Sequence, residues 1–248
     1  MKNRILIGLS IILLLILPHC MNERGKSPLK VLAVTGGHAY DTAEFEQMFR
    51  LMPDVSTTFG EKPGIWQTIR ESGPFDVLVF YDMYQPISPE EKELFLGEYE
   101  RGTGMVFLHH SLGSHQEWPE YEGLVGGKFY IEGYAPDTSL ILDYYHDINM
   151  KVRVIDPDHP VTKGVTDYEV LDEGYVNTQL MPGLKYLLET DHPKCDRYVG
   201  WTHEVKNSRV VYLMGGHDRH AFENESYHRI LENAIRWTAD NKSRRKPS

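Results

Sequence analysis

Polar and apolar residues alternate along this chain in blocks of two kinds. Short β-branched runs stop at glycine or histidine, and amphipathic stretches follow them. "LKVLAVTGG" (29–37) reads as a buried strand ended by a glycine pair. "DTAEFEQMFRLM" then repeats apolar residues at helical spacing, with Phe45, Met48, Phe49 and Met52 on one stripe and Asp41 or Thr42 as cap. "VSTTFG" and "FDVLVFYDM" (75–83) read as the next two strands. "SPEEKELFLGEYERG" predicts a helix with Ser88 at the N-cap, Pro89 at its first position and Gly102 as its stop. "GMVFLHH" is a fourth strand. Strands alternating with amphipathic helices predict a parallel sheet with helices on both faces. In such a sheet ligands bind beyond the carboxyl ends of the strands. The turns "GGHAYD", "YDMYQP" and "HHSLGSH" are therefore where a site is expected.

The second half is β-rich and less regular. "KVRVIDPDHPVTKGV", "YEVLDEGY", "KYLLET" and "RYVGWTH" read as antiparallel strands and turns. "SRVVYLMGGHD" returns to the core. "SYHRILENAIRWTADN" closes the fold as a helix, with Tyr227, Ile230, Leu231, Ala234, Ile235 and Trp237 on or near its buried face.

Composition narrows the functional classes. The 248 residues are 41% hydrophobic, enough for one core, and the formal charge is −10. The only basic cluster is "KSRRKPS", a solvated tail at 242–248, so nucleic acid is not an expected partner. At the other end, "MKNR" and "ILIGLSIILLLIL" have the charge and length of a signal peptide over residues 1–20. Cys20 follows directly, in the manner of a bacterial lipoprotein, although "LPH" departs from the usual small-residue pattern before it. The expectation is an exported protein of the periplasm or cell envelope, anchored to the membrane by lipid on Cys20 and tethered by residues 21–28. Cys195 would then have no disulfide partner.

Three strand ends deliver histidine: Gly36-Gly37-His38, Leu108-His109-His110 and Gly215-Gly216-His217-Asp218. Imidazole suits general acid–base work or metal ligation near neutral pH. Adjacent His109 and His110 would point to opposite faces of a strand, so both enter one cleft only if the chain turns sharply there. Ser111 lacks the first glycine of a G-x-S-x-G elbow, which argues against a serine nucleophile. Asp172, Glu173 and Asp218 are carboxylates that could orient these histidines, while "DEG" also reads as an ordinary turn. Tyr40, Tyr84, Trp118, Tyr121, Tyr134, Tyr175 and Trp201 lie near these motifs, and aromatic faces beside carboxylates suit sugar rings. No cofactor is required. A zinc-like divalent metal is compatible with the histidines, although no H-E-x-x-H pair is present.

"VLAVTGGHAYD", "GTGMVFLHHSL", "WPEYEGLVGGKF", "DHPVTKGV", "DEGY", "VGWTHEVKNSRVVYLMGGHD" and "AIRWTADN", in this order, resemble the ThuA-like (trehalose-utilisation) family. The resemblance covers about residues 29–239 and sets one domain at 29–241. It implies a flavodoxin-like, class I glutamine amidotransferase-like α/β sheet. In glutamine amidotransferases a cysteine nucleophile occupies the elbow after the fourth strand; "HHS" stands here instead, so glutaminase chemistry is not expected. The family points to carbohydrate, including keto-sugars, as the small-molecule partner. Carried over by motif, the pocket comprises His38, Tyr40, His109, His110, Trp118, Asp172, Glu173, Tyr175, His217 and Asp218. The expected chemistry is isomerisation, elimination or hydrolysis of a keto-sugar or glycoside, with His109 or His110 as base and His217, oriented by Asp218, as acid. A metal-dependent hydrolase and a non-catalytic sugar-binding lipoprotein are the alternatives.

Overall fold

The structure, a computed structural model, describes residues 27–240. The expected leader, Cys20, most of the tether and the basic tail lie outside the described residues. The elements run β1 (Leu29–Gly36), α1 (Thr42–Arg50), β2 (Val55–Glu61), α2 (Ile65–Ser72), β3 (Val77–Asp82), α3 (Pro89–Arg101), β4 (Gly104–Leu108), α4 (Tyr121–Val125) and β5 (Gly127–Lys128). They continue with β6 (Asp143–Val154), β7 (Tyr168–Val176), β8 (Gln179–Leu180), β9 (Lys185–Glu189), β10 (Tyr198–Val205), β11 (Ser208–Leu213), α5 (Arg219–Phe222) and α6 (Glu225–Ala239).

One nine-stranded sheet has the order β2-β1-β3-β4-β11-β10-β9-β6-β7. The first five strands in that order are parallel, as the alternation of strands and helices requires. Side-chain alternation along β4 sorts the helices onto two faces. A methyl group added at Gly104 would lie 2.7 Å from the Thr238 side chain of α6, whereas Phe107 packs on Phe95 of α3 and Tyr121 of α4. Position 104 tolerates no side chain because α6 crosses directly over it. Ile230, Leu231, Ala234 and Ile235 of α6 are fully buried, and each such Ile or Leu contributes roughly 1.5–3 kcal/mol by burial. The expected cap of α3 is present in full: Ser88 Oγ accepts from Glu91 N–H, and Glu91 returns to Ser88 N–H.

The β-rich second half extends this sheet. β10, β9, β6 and β7 are each antiparallel to the neighbour before them, so β7 ends with the same sense as β11. Its carboxyl half therefore arrives at the ligand-binding edge. β6 joins the sheet only at Arg153 and Val154, which pair with Glu189 and Leu188; the rest of β6 pairs with β7 as a ribbon. The ribbon is bulged between Tyr145 and Ile148, with Asp147 at φ +54°.

Candidate active site

The strand ends converge as the topology demands. His38 follows β1, His109 and His110 follow β4, and His217 follows β11. Glycine is required where the loops pass other backbone. At Gly37 (φ +92°) a Cβ would sit 1.9 Å from the Met83 carbonyl, and at Gly216 (φ +120°) it would sit 2.5 Å from the Tyr227 hydroxyl. The turn that both β4 histidines need is a 3-10 segment over His109–Gly113, entered with His109 at φ +49°. Their rings come to lie 4.3 Å apart, and His38 stacks edge-on against His110 at 3.7 Å.

His109 is fully buried and tightly positioned. Its Nδ1–H donates to the Met214 carbonyl (2.7 Å), and its own carbonyl accepts from the Tyr212 hydroxyl (2.8 Å). That fixes Nε2 toward the cleft, 2.9 Å from the Tyr175 hydroxyl and 3.1 Å from Glu173 Oε2. His217 Nδ1 lies 3.4 Å from the same oxygen, and His146 Nδ1 lies 3.0 Å from Oε1. Asp172, on the opposite side of β7, holds the loop rather than a ring: it accepts from the N–H groups of Gly216 (2.9 Å) and His217 (3.0 Å). Asp172 and Glu173 thus lie in a buried strand and not in a turn.

These surroundings set the charges. Burial pushes Asp172 up, partly offset by His109 and its backbone donors. Burial also acts to raise Glu173, but the histidines around it win and hold it well below the ordinary carboxylate range. Glu173 raises His217, against desolvation. Burial, then the neighbouring His109, lowers His38 to about 4 and His110 well below its usual value. Both nitrogens of His38 and Nδ1 of His110 have no hydrogen-bond partner. Among the described residues, His109, Glu173 and His217 form a group able to hold a metal ion, with their ligand atoms all within 4.8 Å.

Three sequence expectations are corrected. Asp218 does not orient His217; it caps α5 through His220 N–H (2.8 Å) and contacts the His220 ring, while the carboxylate facing His217 Nδ1 is that of Glu173, 3.4 Å away. Trp201 is not a substrate contact. It is 1% exposed, stacked on Tyr212 at 4.2 Å, and its N–H donates to the Val125 carbonyl, because β10 is an interior strand. Trp118 stands apart from the histidines: it packs on Tyr121 and Phe95, and lines a separate cavity of about 340 Å³ with Tyr84, His115 and Tyr134. Tyr40 packs on His38 (5.6 Å) and Tyr175 on His109 (5.0 Å), at the expected place. Ser111 is fully buried with an unpartnered hydroxyl, and burial pushes the Cys195 thiol up to about 12, so neither is an activated nucleophile.

A second buried network lies beneath the cavity and left no sequence signal. Lys62 Nζ donates to Asp82 Oδ2 (2.6 Å) and contacts His115 Nε2 (2.9 Å), while Ser114 Oγ donates to Asp82 Oδ2 (2.7 Å). An ammonium only donates, so Nε2 of His115 is bare and the ring neutral. Burial, then Lys62, lowers His115 to about 3. Below pH ~6.5 the unfolded chain takes up a proton that folded His115 refuses, so stability falls as pH drops, by about 1.4 kcal/mol per pH unit. Urea unfolding of the parent and of His115→Asn, which suits the left-handed backbone at φ +53°, is expected to show a shallower decline in the variant between pH ~6 and ~4. Equal slopes would remove His115 as the cause.

The sequence profile of the ThuA family, described as trehalose utilisation, matches residues 30–238. The chain belongs to the ThuA family. Solved ThuA-like proteins share its fold. The one from Parabacteroides merdae is 17% identical, with a TM-score of 0.72 over 86% of this chain and 90% of that one. The one from Bacteroides uniformis is 21% identical, with a TM-score of 0.65 over 86% and 93%. A GMP synthase protein from Thermoplasma acidophilum is 14% identical, with a TM-score of 0.54 over 88% and 98%, which fits the glutamine amidotransferase-like architecture. A search of the curated proteins finds no match. Within this ThuA fold the elbow residue is His109, at a left-handed backbone position.

Proposed function

We propose that the cluster at the carboxyl edge is the active site of a carbohydrate-active enzyme that removes a proton beside the carbonyl of a keto-sugar. The observation that carries this reading is the pairing of two unlike groups. His110 is a buried imidazole and His38 a half-buried one, both with unpartnered nitrogens and neither paired with a carboxylate, which suits a neutral base. Beside them, His109 and His217 gather around Glu173, and positive charge held at that point would stabilise a carbonyl oxygen as it develops charge. A nitrogen of His110 takes the α-proton, and the C–H electron pair moves to form an enolate. For isomerisation, the enolate oxygen is protonated to an enediol, the hydroxyl on the α-carbon gives up its proton and the former carbonyl carbon takes one, so the carbonyl moves one carbon along. For elimination, the carbonyl re-forms, a C=C bond forms between the α- and β-carbons, and the β-placed glycosidic oxygen leaves with the proton that His110 took. No covalent nucleophile is needed, in keeping with the buried Ser111 and the half-buried Cys195.

An NMR time course of the purified protein with a 3-keto-disaccharide, beside its unoxidised parent, tests the proposal. Conversion of the keto-sugar alone is the expected result. Binding shifts without conversion of either sugar would reduce the protein to a carbohydrate-binding module. Conversion of the parent glycoside would replace α-proton abstraction by direct hydrolysis.

A further inference from the structure

We infer that His109, Glu173 and His217 form the ligand set of a divalent transition-metal ion of the zinc class, bound at a three-ligand site open to the cleft. The inference deepens the proposed function by naming the source of positive charge in that site, and it rests on that reading only for what the ion does there.

The geometry at His109 leaves one ring nitrogen for a ligand. Its Nδ1–H is committed to the Met214 carbonyl, 2.7 Å away. Nε2 therefore faces the cleft, with Glu173 Oε2 at 3.1 Å and the Tyr175 hydroxyl at 2.9 Å. An imidazole nitrogen and a carboxylate oxygen brought together at a buried position are the donor types that a zinc-class cation takes.

The spacing of the three ligand atoms fits zinc. Zinc bonds to nitrogen and oxygen of about 2.0–2.1 Å imply tetrahedral ligand–ligand edges of about 3.3 Å. Glu173 Oε2 lies 3.1 Å from His109 Nε2 and 3.4 Å from His217 Nδ1. The three ligand atoms all fall within 4.8 Å. Three protein ligands of the His/His/carboxylate kind with one position left open is the arrangement of a catalytic zinc site.

The ligands are also supported from behind. A metal-bound histidine commonly donates its other ring N–H to a carbonyl or carboxylate, which orients the ring and raises its basicity. His109 does so to Met214. Glu173 is fixed from outside by His146, whose Nδ1 lies 3.0 Å from the oxygen that the ion would leave free. His217 is held through its backbone N–H by Asp172 (3.0 Å). Imidazole and carboxylate together suit zinc, cobalt or nickel better than calcium or magnesium, which prefer all-oxygen sites.

The test is metal analysis of the full chain, purified without chelator, followed by stripping and titration with Co²⁺. About one equivalent of metal is expected, and the cobalt protein should show the visible d–d absorption of a low-coordinate site. Glu173→Gln should keep the far-ultraviolet circular dichroism of the parent and lose at least about tenfold in cobalt affinity. Absence of metal, with no cobalt spectrum in the stripped protein, would overturn the inference. So would a Glu173→Gln variant that binds cobalt as tightly as the parent. Metal binding without conversion of any keto-sugar leaves the metal centre standing and removes the substrate reading. Conversion by protein proven metal-free removes the metal centre and leaves the substrate reading.

Discussion

Asp82→Ala is expected to lower the unfolding free energy by about 3–5 kcal/mol, the cost of leaving a buried charge without its partner. The side chains of Asp82 and Lys62 are both buried, so water does not replace the lost carboxylate. Its removal strands the Lys62 ammonium between the faces of Trp66 (5.6 Å) and Phe80 (5.5 Å), with the bare nitrogen of His115 left as acceptor. Ser114 is left with the backbone carbonyl of residue 82, 3.1 Å away, as its acceptor. Replacing both charges, Lys62→Met with Asp82→Leu, is expected to cost clearly less than Asp82→Ala alone, because two desolvated charges leave together. Chemical denaturation of the three proteins decides the matter. A double variant no more stable than Asp82→Ala would mean that the pair holds shape and not charge.

The second large effect is on turnover. His110→Phe fills the same buried space with a ring that cannot accept a proton. Loss of a positioned base slows conversion of a keto-sugar by about 10²–10⁴-fold. His110 lies outside the ligand set of the inferred ion, so metal content should not change. Single-turnover kinetics on a deuterated α-carbon, in parent and variant, would check it: the parent should show a primary isotope effect. Unchanged turnover in His110→Phe would pass the role of base to His38, whose two nitrogens are also unpartnered.

Much of the fold was legible because its parallel half is written in blocks. Buried parallel strands are continuous apolar runs, and β1, β3, β4 and β11 all fall where such runs occur. α2 gives no comparable signal, since "IWQTIRES" spans only eight residues behind a Pro-Gly break. The histidines after three parallel strands were legible for the same topological reason. The rest of the site depends on the ribbon, where local pattern says little. His146 sits on a strand with exposed neighbours and looks like any surface histidine until the bulge turns it onto Glu173. The choice between Asp218 and Glu173 as partner of His217 is likewise invisible, because adjacency in sequence favours the wrong carboxylate. Trp201 misled because its neighbours along the chain suggest a cleft, while its neighbours across the sheet make a core.

The attachment of the ribbon has a mechanical corollary. Glu173, Tyr175 and His146 come from a two-stranded arm secured to the main sheet at Arg153 and Val154, whereas His38, His109, His110 and His217 come from the parallel core. The two sides of the cluster are thus anchored separately. A change in the bulge between Tyr145 and Ile148 would re-aim His146 relative to Glu173 and leave the strands that carry the core histidines in place.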